Sequence, residues 1–180
     1  MIKAIGSSAD LTAENNEYHC LVADLLGNDI VMSMQNYLHH GSTTCFQHCV
    51  NVSYYNYRLC RFLGLNCRAA ARAGLLHDLF LYDWHCYKRA EHERLHGFTH
   101  GLKALRNAEK YFYITDLEKD IIEKHMWPLT ISRVPKYKET VVIVLVDKYC
   151  GIAEVLSFRA QVIAHSIRKM RDKLLKKKPA

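Results

Sequence analysis

The sequence has no hydrophobic run long enough to cross a bilayer. Its longest strongly apolar run, Val141 to Val146, is six residues long, whereas a membrane-spanning helix needs about 20. The first ten residues have no long apolar core and no convincing cleavage pattern, so they do not resemble a signal peptide. We therefore expect a soluble, cytoplasmic protein without a membrane partner.

The sequence also has no Cys-x-x-Cys pair, although it contains seven cysteines. A chain of 180 residues that is 49% hydrophobic can form an ordinary core, and such a chain does not need a disulfide framework. The local spacing does not suit cysteine ligation of zinc either. We expect reduced, mostly buried thiols.

Positive charge is concentrated at the C-terminal end. The chain has a formal net charge of +7, and much of it lies between Arg168 and Lys178. Cations favour the C-terminal end of a helix, so we interpret this tail, about residues 165–180, as a solvated helix end. Nucleic-acid binding through the tail is the alternative, but no aromatic residues alternate with the cations to favour it.

Internal repeats, low-complexity linkers and clear strand patterns are almost absent. Apolar residues recur at helical spacing along nearly the whole chain, which predicts one all-α domain over residues 1–180. Residues 79–93 are interpreted as a loop with short helical turns. The predicted helices are Leu11–Leu26, Asp29–Leu38, a long helix capped within Gly41–Thr44 and reaching Leu63, a helix capped by Asn66 and ending near His77, Gly97–Tyr111, Thr115–Trp127, and a last long helix from Lys138.

Six potential metal ligands end or interrupt these apolar helix faces. The adjacent pair His77-Asp78 ends the run Ala69–Leu76, and the other four lie on separate predicted helices. Buried imidazole and carboxylate groups are costly unless they are paired or bind a metal, and inward polar groups of several helices can meet at one point of a bundle. We interpret the remaining histidines, including His39 and His96, as ordinary hydrogen-bonded or surface residues. The six candidate ligands are His48, His77, Asp78, His100, His125 and Asp147.

The order of these residues resembles the HD-domain metal-dependent phosphohydrolase superfamily. The resemblance covers about residues 44–156 and includes the segments Leu145-Val146-Asp147-Lys148 and Glu123–Pro128. Two extra histidines between the His-Asp pair and Asp147 resemble its binuclear branch, which includes bacterial symmetrical diadenosine tetraphosphate hydrolases. The chain departs from many relatives in lacking a Gly-Lys shortly after the His-Asp pair. The residues after His100 also match the cyclic-dinucleotide phosphodiesterases poorly.

The resemblance implies a helical metal site that cleaves a phosphate ester or phosphoanhydride, with a nucleotide as the expected substrate. It implies that one ion is held by His48, His77, Asp78 and Asp147, and that Asp78, the central catalytic residue, bridges to a second ion held by His100 and His125. His96 is an alternative to His100. The ions would be two divalent Fe, Mn, Zn, Co or Ni, and the candidate substrate contacts are Lys148, Lys103 and Arg106. The alternative function is a non-catalytic regulator that binds a metal or nucleotide.

Overall fold

The computed structural model describes residues 13–87 and 94–175, and these ranges are predominantly helical. A 3-10 turn, Ser33–Asn36, and two short strands, β1 (Leu38–His40) and β2 (Thr43–Thr44), lie between the second and third helices. The all-α prediction is therefore confirmed. The α-helices of the described ranges are α1 (Ala13–Leu26), α2 (Asp29–Met32), α3 (Cys45–Phe62), α4 (Cys67–Leu76), α5 (His96–Tyr111), α6 (Asp116–Lys124) and α7 (Lys138–Leu175).

The predicted helix Asp29–Leu38 is wrong in its second half. The α-helix ends at Met32, and the chain continues through the 3-10 turn into the β1–β2 hairpin. Gly41 adopts a φ of 62° in the connection between the strands, a conformation that glycine reaches without strain. This reversal carries His39, which the sequence analysis did not select, back toward the centre of the protein.

Side-chain caps fix where the other helices begin. Thr44 accepts a hydrogen bond from the backbone N–H of Gln47, and Asn66 accepts one from Ala69, so each satisfies a free donor of a first turn. Thr115 and Glu118 form a reciprocal capping box at the start of α6. These are the start signals that the sequence predicts for α3, α4 and α6.

The close packing of α3 and α4 forms the floor of the site. A Cβ on Gly74 would lie 2.8 Å from Ser53 Cα, so only glycine allows this approach. The Ser53 hydroxyl donates to the carbonyl of Ala71 at 2.6 Å and accepts from the Tyr18 hydroxyl at 3.0 Å. The helix that ends in His77-Asp78 is thereby held against the helix that carries His48.

All seven cysteines are free thiols, and four of them, Cys45, Cys49, Cys60 and Cys150, are buried.

The loop expected over residues 79–93 has turns without a helix as far as Tyr87, and residues 88–93 lie outside the described ranges. Within the described ranges no helix combines the length and the apolar character needed to cross a membrane.

Candidate metal centre

Six predicted ligands from five helical segments meet in one buried cluster. α3 supplies His48, α5 supplies His100 and α7 supplies Asp147, while the residues that directly follow α4 and α6 supply the others. The side chains of His48, His77, Asp78 and His125 are at most 3% exposed. The structure therefore brings together all six residues, and their coordination of an ion remains a prediction.

Asp78 lies at the centre of the cluster, and its two oxygens face different histidines. Oδ2 is 3.2 Å from Nε2 of His39 and 3.5 Å from Nε2 of His77. Oδ1 is 3.4 Å from Nε2 of His100 and 3.6 Å from Nε2 of His125. This carboxylate can therefore offer one oxygen to each of two adjacent ion positions.

One side of the cluster, the acid-rich half, consists of His48, Asp147 and Glu154. Nε2 of His48 is 3.1 Å from Oδ1 of Asp147, and its Nδ1 is 2.9 Å from Oε2 of Glu154. Asn51 donates to the other oxygen of Glu154 at 2.9 Å. An imidazole that donates its second N–H to a carboxylate is the usual support of a metal-bound histidine.

The other side, the histidine-rich half, consists of His100 and His125. Their Nε2 atoms lie 2.8 Å apart, and their Nδ1 atoms lie 2.9 Å and 2.8 Å from the carbonyl oxygens of His96 and Ile122. A carbonyl can only accept, so each Nδ1 must carry the proton. Two neutral rings would then direct lone pairs at one another, which requires a cation, either a proton or a metal ion, at the pair.

His77 shows the same arrangement in the middle of the cluster. Its Nδ1 is 2.8 Å from the carbonyl of Gly74, which leaves Nε2 as a lone pair if the ring is neutral. Within the described ranges neither this Nε2 nor Oδ1 of Asp78 has a hydrogen-bond partner, and both are buried. Buried polar atoms are rarely left without a partner. The two central atoms of the cluster are therefore acceptors for which the fold supplies no hydrogen-bond donor.

The separations between candidate ligand atoms match those around a metal ion. Three groups have ligand atoms within 4.8 Å of one another, namely His39/His48/Asp78, His48/His77/Asp147 and His77/Asp78/His125. Ligands about 2.1 Å from a transition-metal ion lie about 3.0–3.4 Å from each other in octahedral or tetrahedral geometry. The shortest separations in the cluster, 2.8–3.6 Å, lie close to this range.

The histidine pKa values of the two halves are shifted in opposite directions. Burial opposes charge on His48, but hydrogen bonds to Asp147 and Glu154 raise its pKa well above the ordinary value. Burial, together with the neighbouring His100 and His77, lowers the pKa of His125 to about 3. Burial would raise the pKa of Asp78, yet the surrounding imidazoles hold that pKa below its ordinary value. The centre therefore holds a carboxylate and a neutral imidazole side by side, as metal ligation requires.

A glycine next to His100 allows the histidine-rich half to form. A Cβ on Gly101 would lie 2.9 Å from the carbonyl oxygen of Glu123 and 3.4 Å from Cε1 of His125. The backbone of α5 can therefore approach α6 closely at this point, which brings the His100 and His125 rings into contact.

The sequence analysis missed two residues of the site, His39 and Glu154. His39 was interpreted as an ordinary histidine, but Gly41-Ser42 after two histidines is a hairpin-turn signal that would have placed it on a strand. Glu154 lies seven residues after Asp147, two helical turns along the same face. That spacing could have identified it as a partner for a buried histidine.

The cluster opens into a cleft of about 900 Å³ with mainly apolar walls. Asp78, His100, His125 and Asp147 line its base, and the residues of the outer wall are Trp84, Tyr87, Leu95, Met126, Ile152, Val155 and Leu156. His96 also lines the cleft and stacks on His100 with 4.6 Å between ring centroids. Its Nδ1 is 2.8 Å from the Tyr82 hydroxyl, and burial lowers its pKa to about 4.

The three candidate substrate-binding cations have different positions. Lys148 lines the cleft, but its ammonium donates to the carbonyls of Trp127 and Val144 at 3.2 Å each. The Lys103 ammonium lies over the rings of Tyr82 and Tyr87, 4.7 Å and 4.2 Å from their centroids. Arg106 is exposed on α5. Their roles in substrate binding stay predictions, with Lys148 the best positioned.

Comparison of the chain with models of protein families, with curated proteins and with solved structures finds no match. The geometry of the cluster and the resemblance in residue order therefore carry the functional argument.

Proposed function

We propose that this protein is a metal-dependent phosphohydrolase of the HD type that cleaves a phosphate ester or phosphoanhydride, with a nucleotide as the expected substrate class. The single observation that carries this proposal is the buried cluster of imidazole lone pairs around Asp78. Three Nδ1 atoms are fixed by backbone carbonyls, so the Nε2 atoms of those rings face the Asp78 carboxylate, whose Oδ1 has no hydrogen-bond partner within the described ranges. This arrangement suits a cation better than it suits an apolar core.

We propose that the cluster holds two divalent ions. His48, His77, Asp78 and Asp147 would hold the first, with His39 close enough to contribute. Asp78, through its other oxygen, would hold the second together with His100 and His125. Ions bound here would acidify water and neutralise the charge of phosphate oxygens.

The protein's own groups would have three further tasks in the reaction. Glu154 orients His48 by accepting a hydrogen bond from its Nδ1–H, and the carbonyls of Gly74, His96 and Ile122 orient the other three rings. The apolar outer wall of the cleft excludes water from the body of the substrate. His96, whose pKa is about 4, is neutral near pH 7 and can accept a proton or a hydrogen bond at the cleft surface.

The alternative is a regulator that binds a metal or a nucleotide without turnover. One observation favours it: the best-positioned cation, Lys148, already donates to two carbonyls. A hydrolase needs positive charge for the phosphate, and in this chain most of that charge would have to come from the ions.

The test is metal analysis coupled to a substrate screen. The full chain is loaded separately with Mn, Fe, Co and Zn, its metal content is measured by mass spectrometry, and hydrolysis of 4-nitrophenyl phosphate, bis(4-nitrophenyl) phosphate and a nucleotide panel is followed. Bound metal with turnover supports the hydrolase. Bound metal without turnover of any substrate favours the regulator. A folded chain that binds no metal refutes the hydrolase and leaves only a regulator that binds a nucleotide.

A further inference from the structure

The second half of α7 extends away from the rest of the described protein. Every side chain described from Leu156 to Lys173 is exposed, whereas Val142, Ile143, Val144 and Val146 in the first half are buried. Burial of an apolar face normally stabilises a long helix. Something outside the described chain is therefore expected to cover the apolar residues of this half.

An apolar stripe follows α7 along nearly its whole length. Its members are separated mostly by four, four and three residues, which makes an 11-residue repeat. Such a repeat has 3.67 residues per turn, close to the period of the α-helix, so its members stay on one face. Met170 is 65% exposed and Leu145 62%, so the stripe is open at both ends. It spans about 45 Å at 1.5 Å per residue. We define the α7 stripe as Val141, Leu145, Tyr149, Ile152, Leu156, Ile163, Ile167 and Met170.

The end of α3 widens the stripe beside the body of the protein. Leu59 and Phe62 line a shallow groove together with Leu145 and Tyr149 of the stripe. The Phe62 side chain is 84% exposed, so a large apolar ring projects from this face. The apolar surface therefore continues from the extended helix onto the body.

The acidic residues of α7 lie away from the stripe. At 100° per residue the acidic residues of this helix, Glu139, Asp147, Glu154 and Asp172, lie on the side opposite the stripe. Residues 158–180 contain eight basic residues and one acidic residue, a formal charge of +7 that equals the net charge of the whole chain. The remainder of the chain is formally neutral, so the positive charge belongs to the segment that carries the outer part of the stripe.

This charge pattern argues against a second copy of the chain as the occupant. Arg159 and Lys173 flank one edge of the stripe and Arg171 the other. Parallel or antiparallel pairing of two α7 helices along the stripe would set cation against cation at these edges, a destabilising arrangement. The pattern instead fits a partner with an apolar interior for the stripe and an anionic outer layer for the basic residues at its edges.

We propose that the α7 stripe is a docking surface for an anionic lipid membrane. An amphipathic helix with an apolar face and a basic polar face lies in the interface of such a membrane, with its apolar residues among the acyl chains. Lysine and arginine next to the anionic headgroups strengthen this binding. This proposal differs from the expectation of no membrane partner, which rested on the lack of a spanning segment and does not bear on surface binding.

The position of the cleft agrees with this docking surface. Ile152 and Leu156 belong to the stripe and also line the cleft above the metal centre. Docking through the stripe would therefore bring the mouth of the cleft to the membrane. The proposal itself does not depend on catalysis and can be tested by binding alone.

The experiment is vesicle co-sedimentation of the full chain. Wild type is mixed with phosphatidylcholine vesicles and with vesicles of phosphatidylcholine plus phosphatidylglycerol, at low and at high salt. We expect binding to the anionic vesicles, at least about tenfold weaker binding to the neutral ones, and loss of binding in high salt, because screening removes the attraction of the basic residues.

The double variant Ile163→Glu/Ile167→Glu tests the stripe, and Tyr113→Glu is its control. Both change exposed apolar side chains, so both should fold, but Tyr113 lies between α5 and α6 rather than on α7. The proposal expects the first to lose vesicle binding by at least about tenfold and the control to keep it. Equal binding of wild type to neutral and anionic vesicles, or full binding by the stripe variant, overturns it.

Light scattering of the same samples tests the competing occupant. A monomeric wild type is expected at the concentrations used for vesicle binding. A wild-type dimer that the stripe variant dissociates, without vesicle binding by either protein, would assign the stripe to a second copy and overturn the membrane proposal.

Discussion

Two buried carboxylates, Asp78 and Asp120, have opposite surroundings. Asp120 accepts hydrogen bonds from the backbone N–H of Lys136 at 3.0 Å and from the Thr140 hydroxyl at 2.6 Å, and it pairs with Lys124. Asp78 is equally buried, yet its Oδ1 has no hydrogen-bond partner in the described ranges, and imidazole nitrogens surround it. The fold therefore satisfies a carboxylate that joins two elements and leaves unsatisfied the one at the centre of a ligand cluster.

The largest effect is expected from Asp78→Asn. The change keeps the shape of the side chain but removes the charge that faces both proposed ion positions, so both ions should be lost and turnover should fall by at least about a thousandfold. Metal content and hydrolysis of the best substrate are measured in parallel with the circular dichroism spectrum.

Asp83→Asn is the matched control for Asp78→Asn. Asp83 lies five residues further along the chain, is exposed and interacts with His85 instead of the cluster. This variant should keep wild-type metal content and turnover. Full metal occupancy in Asp78→Asn would contradict the central role of Asp78.

The second prediction separates the two halves of the cluster. His125→Ala removes a ligand of the histidine-rich half, so the metal content should fall by about one ion per chain while the first position stays occupied by its own ligands. His48→Ala should remove the other ion. Anomalous scattering from crystals grown with excess metal distinguishes the two positions.

A single wild-type metal peak that lies beyond coordination distance of both His100 and His125 would refute the binuclear proposal. A single peak next to these two residues, with the acid-rich half empty, would show that His48 and His77 are protonated and pair with the carboxylates there in place of an ion. The raised pKa of His48 allows this outcome, because the ring can hold a proton where no ion is bound.

The third prediction concerns Glu154, which supports His48 without being a proposed ligand. Glu154→Gln keeps an acceptor near Nδ1 but removes the charge, so the affinity for the first ion should fall by about 10–100-fold. The affinity for the second ion should change little, since His100 and His125 are held by carbonyls. Metal titration followed by calorimetry measures both.

Asp172→Asn is the control for Glu154→Gln, because Asp172 is an exposed carboxylate on the same helix. It should leave both affinities unchanged. Equal weakening of both ions by Glu154→Gln would mean that Glu154 acts through the whole cluster and not through His48.

Helical periodicity and capping signals were sufficient to predict most of this fold. They located α3, α4 and α6 because each has a polar start signal and an apolar face, and α5 by its apolar face alone. They failed at residues 33–40, where the 3-10 turn and the strand have no strong pattern and the glycine at position 41 decides the direction of the chain. On α3, helical spacing places Phe62 on the same side as His48, yet the structure leaves Phe62 exposed.

The candidate site was predictable in its membership and not in its internal geometry. The six ligands could be selected because each polar residue interrupts an apolar face. Which nitrogen of each histidine faces the centre could not be predicted, because carbonyls released at helix ends, such as that of Gly74, determine it. His39 could not be found without the hairpin, and Glu154 could be found only once His48 was known to need a second partner.

The smallest effect is expected at the satisfied carboxylate, with Asp120→Asn. The wild-type pKa of Asp120 lies below its ordinary value: burial would raise it, but the Lys124 ammonium and the Thr140 hydroxyl favour the charged form. Its contribution to the free energy of unfolding is therefore complete above the unfolded pKa near 3.9 and is lost as the pH falls through the lower folded value.

We expect Asp120→Asn to cost about 1–2 kcal/mol at pH 7, with unchanged metal content. Urea unfolding of both proteins at pH 7, 5 and 3 measures the difference, which should be similar at the two higher pH values. It should be smaller at pH 3, because only that pH lies below the unfolded pKa, where the unfolded wild-type chain takes up a proton that the folded state binds less readily. A constant difference across this range would mean that the charge of Asp120 does not stabilise the fold, and the contrast with Asp78 would then rest on hydrogen-bond geometry alone.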